Sequence, residues 1–263
     1  MPGHVTRREG DLVYRDLNKN GRLDPYEDPR LPVDERVTDL LQRMTLEEKA
    51  ALLFHTMLGA NMDGTLAEGD DPMGRLGTSE MVVDRHINHF NLHALPAPRI
   101  AAQWQNRLQE LAEGTRLGIP VTLSSDPRHA FSNDVLTAAR ASGNSQWPEP
   151  IGLAAIGDPA LVERFADIAR QEYLALGIRV ALHPMADLAT EPRWGRISGT
   201  FGEDAELSAK LTVAYIRGFQ GETLGPTSVA CMTKHFSGGR PAVGRSGRAF
   251  PLGQGAGLSR RGL

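Results

Sequence analysis

The chain has 263 residues, of which 40% are apolar and 23% charged, with a formal net charge of −3. Those proportions are globular and exclude disorder throughout, and the length suits one large domain such as an α/β barrel. So small a charge leaves no electrostatic footprint for nucleic acid, and no apolar run reaches the length of a membrane span. Neither is an expected partner.

The N-terminus, MPGHVTRREGD, lacks the apolar core of a signal peptide. As written, the chain is expected in the cytoplasm; a start codon lying upstream would make it secreted or periplasmic. Leu12–Arg15 reads as a strand and runs into a loop rich in Asp and Asn. There Asp16, Asn18, Asn20, Asp24 and Glu27 fall at positions one, three, five, nine and twelve of a calcium loop, with Gly21 at six. The lead-in is not helical and Pro25 interrupts the loop's end. Two readings stand: a calcium site, or an Asx turn closed by its own hydrogen bonds.

From Pro32 the pattern turns helical, and Val37, Leu40, Leu41 and Met44 make one apolar face. Thr45-Leu46-Glu47-Glu48 is a capping box that restarts the helix towards Leu52 and Leu53. Residues 58–82, rich in Gly, Met and Asp, read as a long loop. His86–Leu92 alternates as a strand. Ile100, Trp104, Leu108 and Leu111 line a helix, Gly118 ends that region, and Ile119–Leu123 is the next strand. Asp158 caps a helix with Pro159 at its first position; Leu161, Phe165, Ile168 and Ala169 supply its buried face. The strand Ile178–Leu182 follows, then a helix capped by Asp204 and carrying Leu207, Leu211 and Tyr215. A last strand, Ser228–Met232, leads to Thr233-Lys234-His235-Phe236. Within it Cys231 is the single cysteine, which excludes an internal disulfide and a Cys-based zinc site, and its apolar flanks suggest a buried strand thiol.

Leu117-Gly118-Ile119 recurs as Leu176-Gly177-Ile178, and an acid, Asp126 or Asp187, follows each strand. Helix, Leu-Gly-Ile, strand and acid is the rhythm of successive units in a parallel barrel. Barrels of this class build their sites where polar residues spill past strand ends. The stretch after Ile178–Leu182 does so, with His183, Asp187, Glu191, Arg193, Trp194 and Arg196 before the next helix.

From Asp187 to Asp204 the order Asp-Leu…Glu-Pro-Arg-Trp-Gly-Arg…Phe-Gly-Glu-Asp resembles the sugar-site loop of glycoside hydrolase family 3, the β-glucosidase and β-xylosidase family. The resemblance implies an α/β fold, the N-terminal part of a (β/α)8 TIM-type barrel, incomplete. Residues 1–31 would be an arm bearing the Asp/Asn-rich turn, 32–237 the barrel portion and 238–263 a tail. It also implies a hydrolase of β-glucosides or related β-linked gluco- or xylo-saccharides, working by retention in carbohydrate degradation and with no cofactor. Four residues match the family's pocket for the terminal sugar: Asp126, Arg196, Lys234 and His235. The Asp126 carboxylate would accept from two sugar hydroxyls, Arg196 would donate from its planar fork, and Lys234 and His235 would add a cation and an imidazole. They would fix the ring rather than transfer protons. Trp194 would pack behind the site, and an ion pair with Glu203 or Asp204 is the alternative for Arg196. Ala130 after His129 departs from the family's Asp-x-x-His-Gly.

Retention needs two carboxyl groups about 5 Å apart. By the resemblance the nucleophilic aspartate follows the Lys-His-Phe strand and the acid/base glutamate lies in a second domain, both beyond the chain end. Neither Asp126 nor Glu191 is taken to replace them. Arg240–Leu263 loses all apolar period, and codons able to encode it can, one base later, encode family-like sequence such as Gly-Pro-Gln-Leu-Asp-Gly. The tail therefore reads as a frameshift product without packed structure, and the chain as a truncated form inactive alone. The competing readings are a non-catalytic sugar-binding half-barrel module and an unrelated α/β-barrel enzyme.

Overall fold

The computed structural model describes residues 5–69, 76–92, 94–131, 139 and 143–235. The tail beyond Lys234-His235, on which the frameshift expectation falls, lies outside them. Two compact units partition the chain, Met1–Ser125 with Tyr173–Val180 and Asp126–Glu172 with Ala181–Leu263. Among the described residues no helix is long and apolar enough to cross a membrane.

The first unit opens with an antiparallel hairpin, β1 (Thr6–Glu9) and β2 (Leu12–Arg15). The Asp/Asn-rich loop that follows is folded on its own donors. Asp16 accepts from the Asn20 and Gly21 amides and from Arg7; Asp24 accepts from the Asn18 and Asn20 side chains and from Arg43. Glu27 accepts from the Leu17 and Asp24 amides. Asn18 and Asn20 each take an amide two residues on, at 3.1 and 2.8 Å, which is the Asx-turn geometry. The carboxylates thus face N–H donors, and among the described residues no three His, Cys, Asp or Glu side chains are grouped to hold a metal ion.

Helix α1 (Val33–Arg43) has the expected period, but it buries no residue: Val33, Val37 and Leu41 are exposed, and Met44 just past its end is buried. The capping box forms as expected at α2 (Leu46–Ala51). The Glu48 amide donates to Thr45 Oγ1 and the Thr45 amide to Glu48 Oε2. A strand the sequence did not announce, β3 (Thr56–Leu58), comes next and takes the first residue of the expected 58–82 loop, whose end falls in a π-helical turn, Glu80–Asp84. Strand β4 (His89–Leu92) is shorter than expected because His86 sits at φ 58°, outside extended backbone.

Helix α3 (Pro98–Glu113) buries Trp104, Leu108 and Leu111 as its pattern demands, each removal from water contributing roughly 1.5–3 kcal/mol. The next strand, β5 (Thr122–Ser125), starts three residues later than Ile119. Gly118 holds φ +59° there with its Cα face against Leu17, and Pro120 cannot donate to a ladder. Strands β3, β4 and β5 pair in parallel, Phe90 lying opposite Thr56 on one side and Leu123 on the other. Parallel strands joined by helices are the α/β architecture that part of a (β/α)8 barrel requires.

Further along the chain, α4 (Pro150–Ile156) of the second unit precedes α5 (Pro159–Ala175), which begins with the Ala160 amide on Asp158. The residues of α5 from Tyr173 on, with those up to Val180, belong to the first unit. The buried face of α5 runs through Val162, Phe165, Ala166 and Ala169, rotated by about one residue from the expected one. Strand β6 (Ile178–Ala181) follows Gly177, whose φ of +75° ends α5. Helix α6 (Ala205–Gln220) is capped by Asp204 through the Leu207 amide at 2.8 Å and buries Leu211, Tyr215 and Phe219. The final strand contracts to β7 (Ala230–Cys231). Burial pushes the Cys231 thiol up to about 12, as an unreactive strand thiol should behave.

Candidate functional site

The second unit gathers the site. Past β6 the chain stays extended and runs parallel to the segment that follows β7. Met232 N donates to Ala181 O, Lys234 N to Pro184 O and Ala186 N to Lys234 O. Met185 is thereby bridged to Lys234 in parallel register. The last bond of that run joins Ala186 to Lys234, and the residues after these two, Asp187 and His235, meet through their side chains.

All four residues expected to hold a sugar lie in this unit. Lys234 Nζ is 2.6 Å from Asp126 Oδ1, with the two side chains 20% and 37% exposed. Arg196 reaches from the loop with Nη1 3.4 Å from His235 Nε2 and Nη2 3.6 Å from Met185 Sδ. His235 Nδ1 lies 2.7 Å from Asp187 Oδ2, and that carboxylate is fully buried. Two pairs result, Asp126 with Lys234 and Arg196 with His235, brought together because Lys234 and His235 are consecutive, and both remain partly open to water.

Beneath them is an aromatic floor. Tyr215 Oη is 2.6 Å from His183 Nδ1, and both rings pack on Phe219 at centroid distances of 5.0 Å. Burial, reinforced by the nearby Lys234 ammonium, holds the His183 ring well below the usual imidazole range, so it is neutral. A small pocket opens beside this floor, lined by Pro127, Glu149, His183, Met185, Tyr215 and Lys234.

The loop carrying Asp126 is fixed from the other side. His129 Nε2 lies 3.1 Å from Glu172 Oε2 of α5, and the same oxygen accepts from the Ser145 amide at 2.9 Å. Trp147 N donates to His129 O and Phe131 N to Trp147 O, which stitches the loop to residues 145–147. Burial pushes the His129 imidazole down to about 4, against the opposing pull of Glu172.

Glu191 does not join the cluster. It pairs with Arg193 at 2.7 Å within its own loop, and that hydrogen-bonded guanidinium brings its carboxyl down to about 2. Asp204 caps α6, while Arg196 turns to His235 and Met185. Sequence reasoning passed over Asp187 as a site member, naming it only as the acid after a strand. What identifies it is a buried carboxylate in contact with His235, 48 residues away in sequence, which no local pattern displays.

Residues 33–255 match the model of the glycosyl hydrolase family 3 N terminal domain. The chain is 51% identical over 243 residues to the probable beta-glucosidase C of Aspergillus oryzae, spanning 92% of this chain and 38% of that protein. It is 47% identical over 230 residues to the periplasmic beta-glucosidase/beta-xylosidase of Dickeya chrysanthemi, covering 86% and 35%. Among solved structures, a beta-glucosidase from Listeria innocua in complex with glucose superposes with a TM-score of 0.57 at 26% identity, over 78% of this chain and 27% of that one. The chain thus spans well under half the length of the curated relatives it matches. With a family match over most of its length, it belongs to glycosyl hydrolase family 3.

Proposed function

We propose that this chain supplies the sugar-positioning side of a retaining β-glycosidase site, with β-glucosides or β-xylosides as substrate class. The observation that carries the reading is the convergence of Asp126, Lys234, His235 and Arg196 in one unit of a family 3 chain. Sugar hydroxyls both donate and accept. A carboxylate, two cationic donors and an imidazole meet both needs, and the charge-assisted bonds are the stronger ones. Binding of this kind fixes the anomeric carbon relative to reacting groups, which is worth a large share of a barrier.

Retention also requires a nucleophile and an acid/base about 5 Å apart, and we assign neither role to a residue of this chain. Asp126 is held by Lys234, and Glu191 by Arg193 at a pKa of about 2, far too acidic to donate a proton at neutral pH. The nucleophile and acid/base are taken to lie outside it. The test is calorimetric titration with methyl β-D-glucoside and methyl β-D-xyloside, alongside hydrolysis of an aryl β-glucoside. Binding without turnover is expected. Turnover that Asp126→Ala abolishes would mean that the chain holds its own catalytic carboxylate, and absence of binding would remove the sugar site.

A further inference from the structure

We infer that Asp187 is a positioning residue that holds the His235 imidazole in its Nδ1–H form, leaving Nε2 as a hydrogen-bond acceptor. Two contacts carry this together. A guanidinium has only donors, so Arg196 Nη1, 3.4 Å from His235 Nε2, can be satisfied there only by a ring lone pair. The neutral ring then carries its proton on Nδ1, which lies 2.7 Å from Asp187 Oδ2. Which ring nitrogen holds the proton is set by the hydrogen bond the other nitrogen makes. The Asp187 carboxylate is 0% exposed, and a buried ion is kept only where polar groups meet it.

The backbone explains why the carboxylate is in place. Lys234 is clasped between the Pro184 carbonyl and the Ala186 amide, which sets Asp187 beside the residue after Lys234. A buried acid behind a half-exposed ring orients that ring without reaching solvent. Resting on the proposed sugar site, the consequence is a division of labour. Arg196 and Lys234 offer only donors, and Asp126 only acceptors, whereas His235 offers one aimed lone pair. That lone pair is taken up by Arg196, so it aims the guanidinium's remaining N–H groups at the sugar hydroxyls rather than accepting from one itself.

The experiment is long-range 15N–1H correlation on histidine-labelled protein at pH 8.5, with His235 assigned by its absence in His235→Gln. A pyrrole-type Nδ1 and a pyridine-type Nε2 are expected in the wild-type chain. Asp187→Ala, checked by circular dichroism, should lose that preference and bind methyl β-D-glucoside about tenfold more weakly, the loss of roughly one hydrogen bond. The opposite tautomer in the wild type, or an unchanged one in folded Asp187→Ala, would overturn the inference. Should Asp187→Ala fail to fold, Asp187→Asn keeps the shape and replaces a charged acceptor by a neutral one. Its His235 Nδ1 proton should then move upfield, and an unmoved proton overturns the inference equally. The tautomer is read without sugar, so a chain that binds no glucoside yet shows the Nδ1–H form supports this inference while refuting the proposed function.

Discussion

Lys234 Nζ meets Asp126 Oδ1 at 2.6 Å across 108 residues of sequence, joining the ends of two separate βα repeats. Both groups are partly in water, so the pair contributes little to folding, of order 0–1 kcal/mol. Its use lies in poise. Each partner already holds the other's charge, and a hydroxyl entering between them replaces one strong contact with two. Asp126→Asn is therefore expected to leave the melting temperature nearly unchanged and to weaken methyl β-D-glucoside binding by about tenfold or more. Paired thermal melts and calorimetry check this; a large loss of stability with unchanged affinity would reverse the assignment.

Gly177 is the tightest of the helix-to-strand corners. Its φ is +75°, and a Cβ there would meet the Gln105 side chain at 2.5 Å. The side chain can give way, whereas the backbone conformation cannot, so Gly177→Ala should cost about 1–2 kcal/mol. For a chain of this size that is a fall in Tm of roughly 2–8 °C. Gly225→Ala serves as the control, because nothing lies within 4 Å of its added methyl and its φ is not positive.

His129 makes stability depend on pH. The folded ring takes a proton only near pH 4, because burial outweighs the attraction of Glu172, while an unfolded imidazole does so near 6.5. Between those values the unfolded chain binds more protons than the native one, so stability falls as pH drops from about 6.5 towards 4. Buried, neutral His183 acts in the same direction. Urea midpoints at pH 7.5, 5.5 and 4.5 should fall in that order, and His129→Gln should flatten the slope. An equal slope in the variant would place the dependence elsewhere.

Local chemistry was legible wherever it stayed local. Thr45, Asp158 and Asp204 were readable as caps because an N-cap is decided by a few consecutive residues. The repeated Leu-Gly-Ile corners were readable because a left-handed residue ending a helix favours glycine. Strand limits drifted, since Pro120 and the left-handed His86 trim ladders that hydrophobic alternation alone would extend. Strand β3 is three residues long, too short to show a period. The exposed Val33, Val37 and Leu41 show the opposite failure, a clear helical period that does not say whether its face is covered. In the site, Asp126, Arg196, Lys234 and His235 were named from motif resemblance, but their mutual contacts, and Asp187, depend on strand register between distant segments.

Arg196→Lys provides the sharpest check on that cluster. The guanidinium reaches two different atoms at once, Nη1 towards His235 Nε2 and Nη2 towards Met185 Sδ, from one rigid plane. An ammonium keeps the charge but is a single point on a flexible stem, so it cannot span both contacts in fixed geometry. Half of the cation's role survives and its direction is lost. The substitution is expected to change folding stability by no more than about 0.5 kcal/mol, as for other partly exposed side chains. Methyl β-D-glucoside affinity should fall by about tenfold, much as if a hydrogen bond had been deleted. If lysine binds the glucoside as well as arginine does, charge alone is what the site uses, and the fork geometry at His235 has no part in recognition.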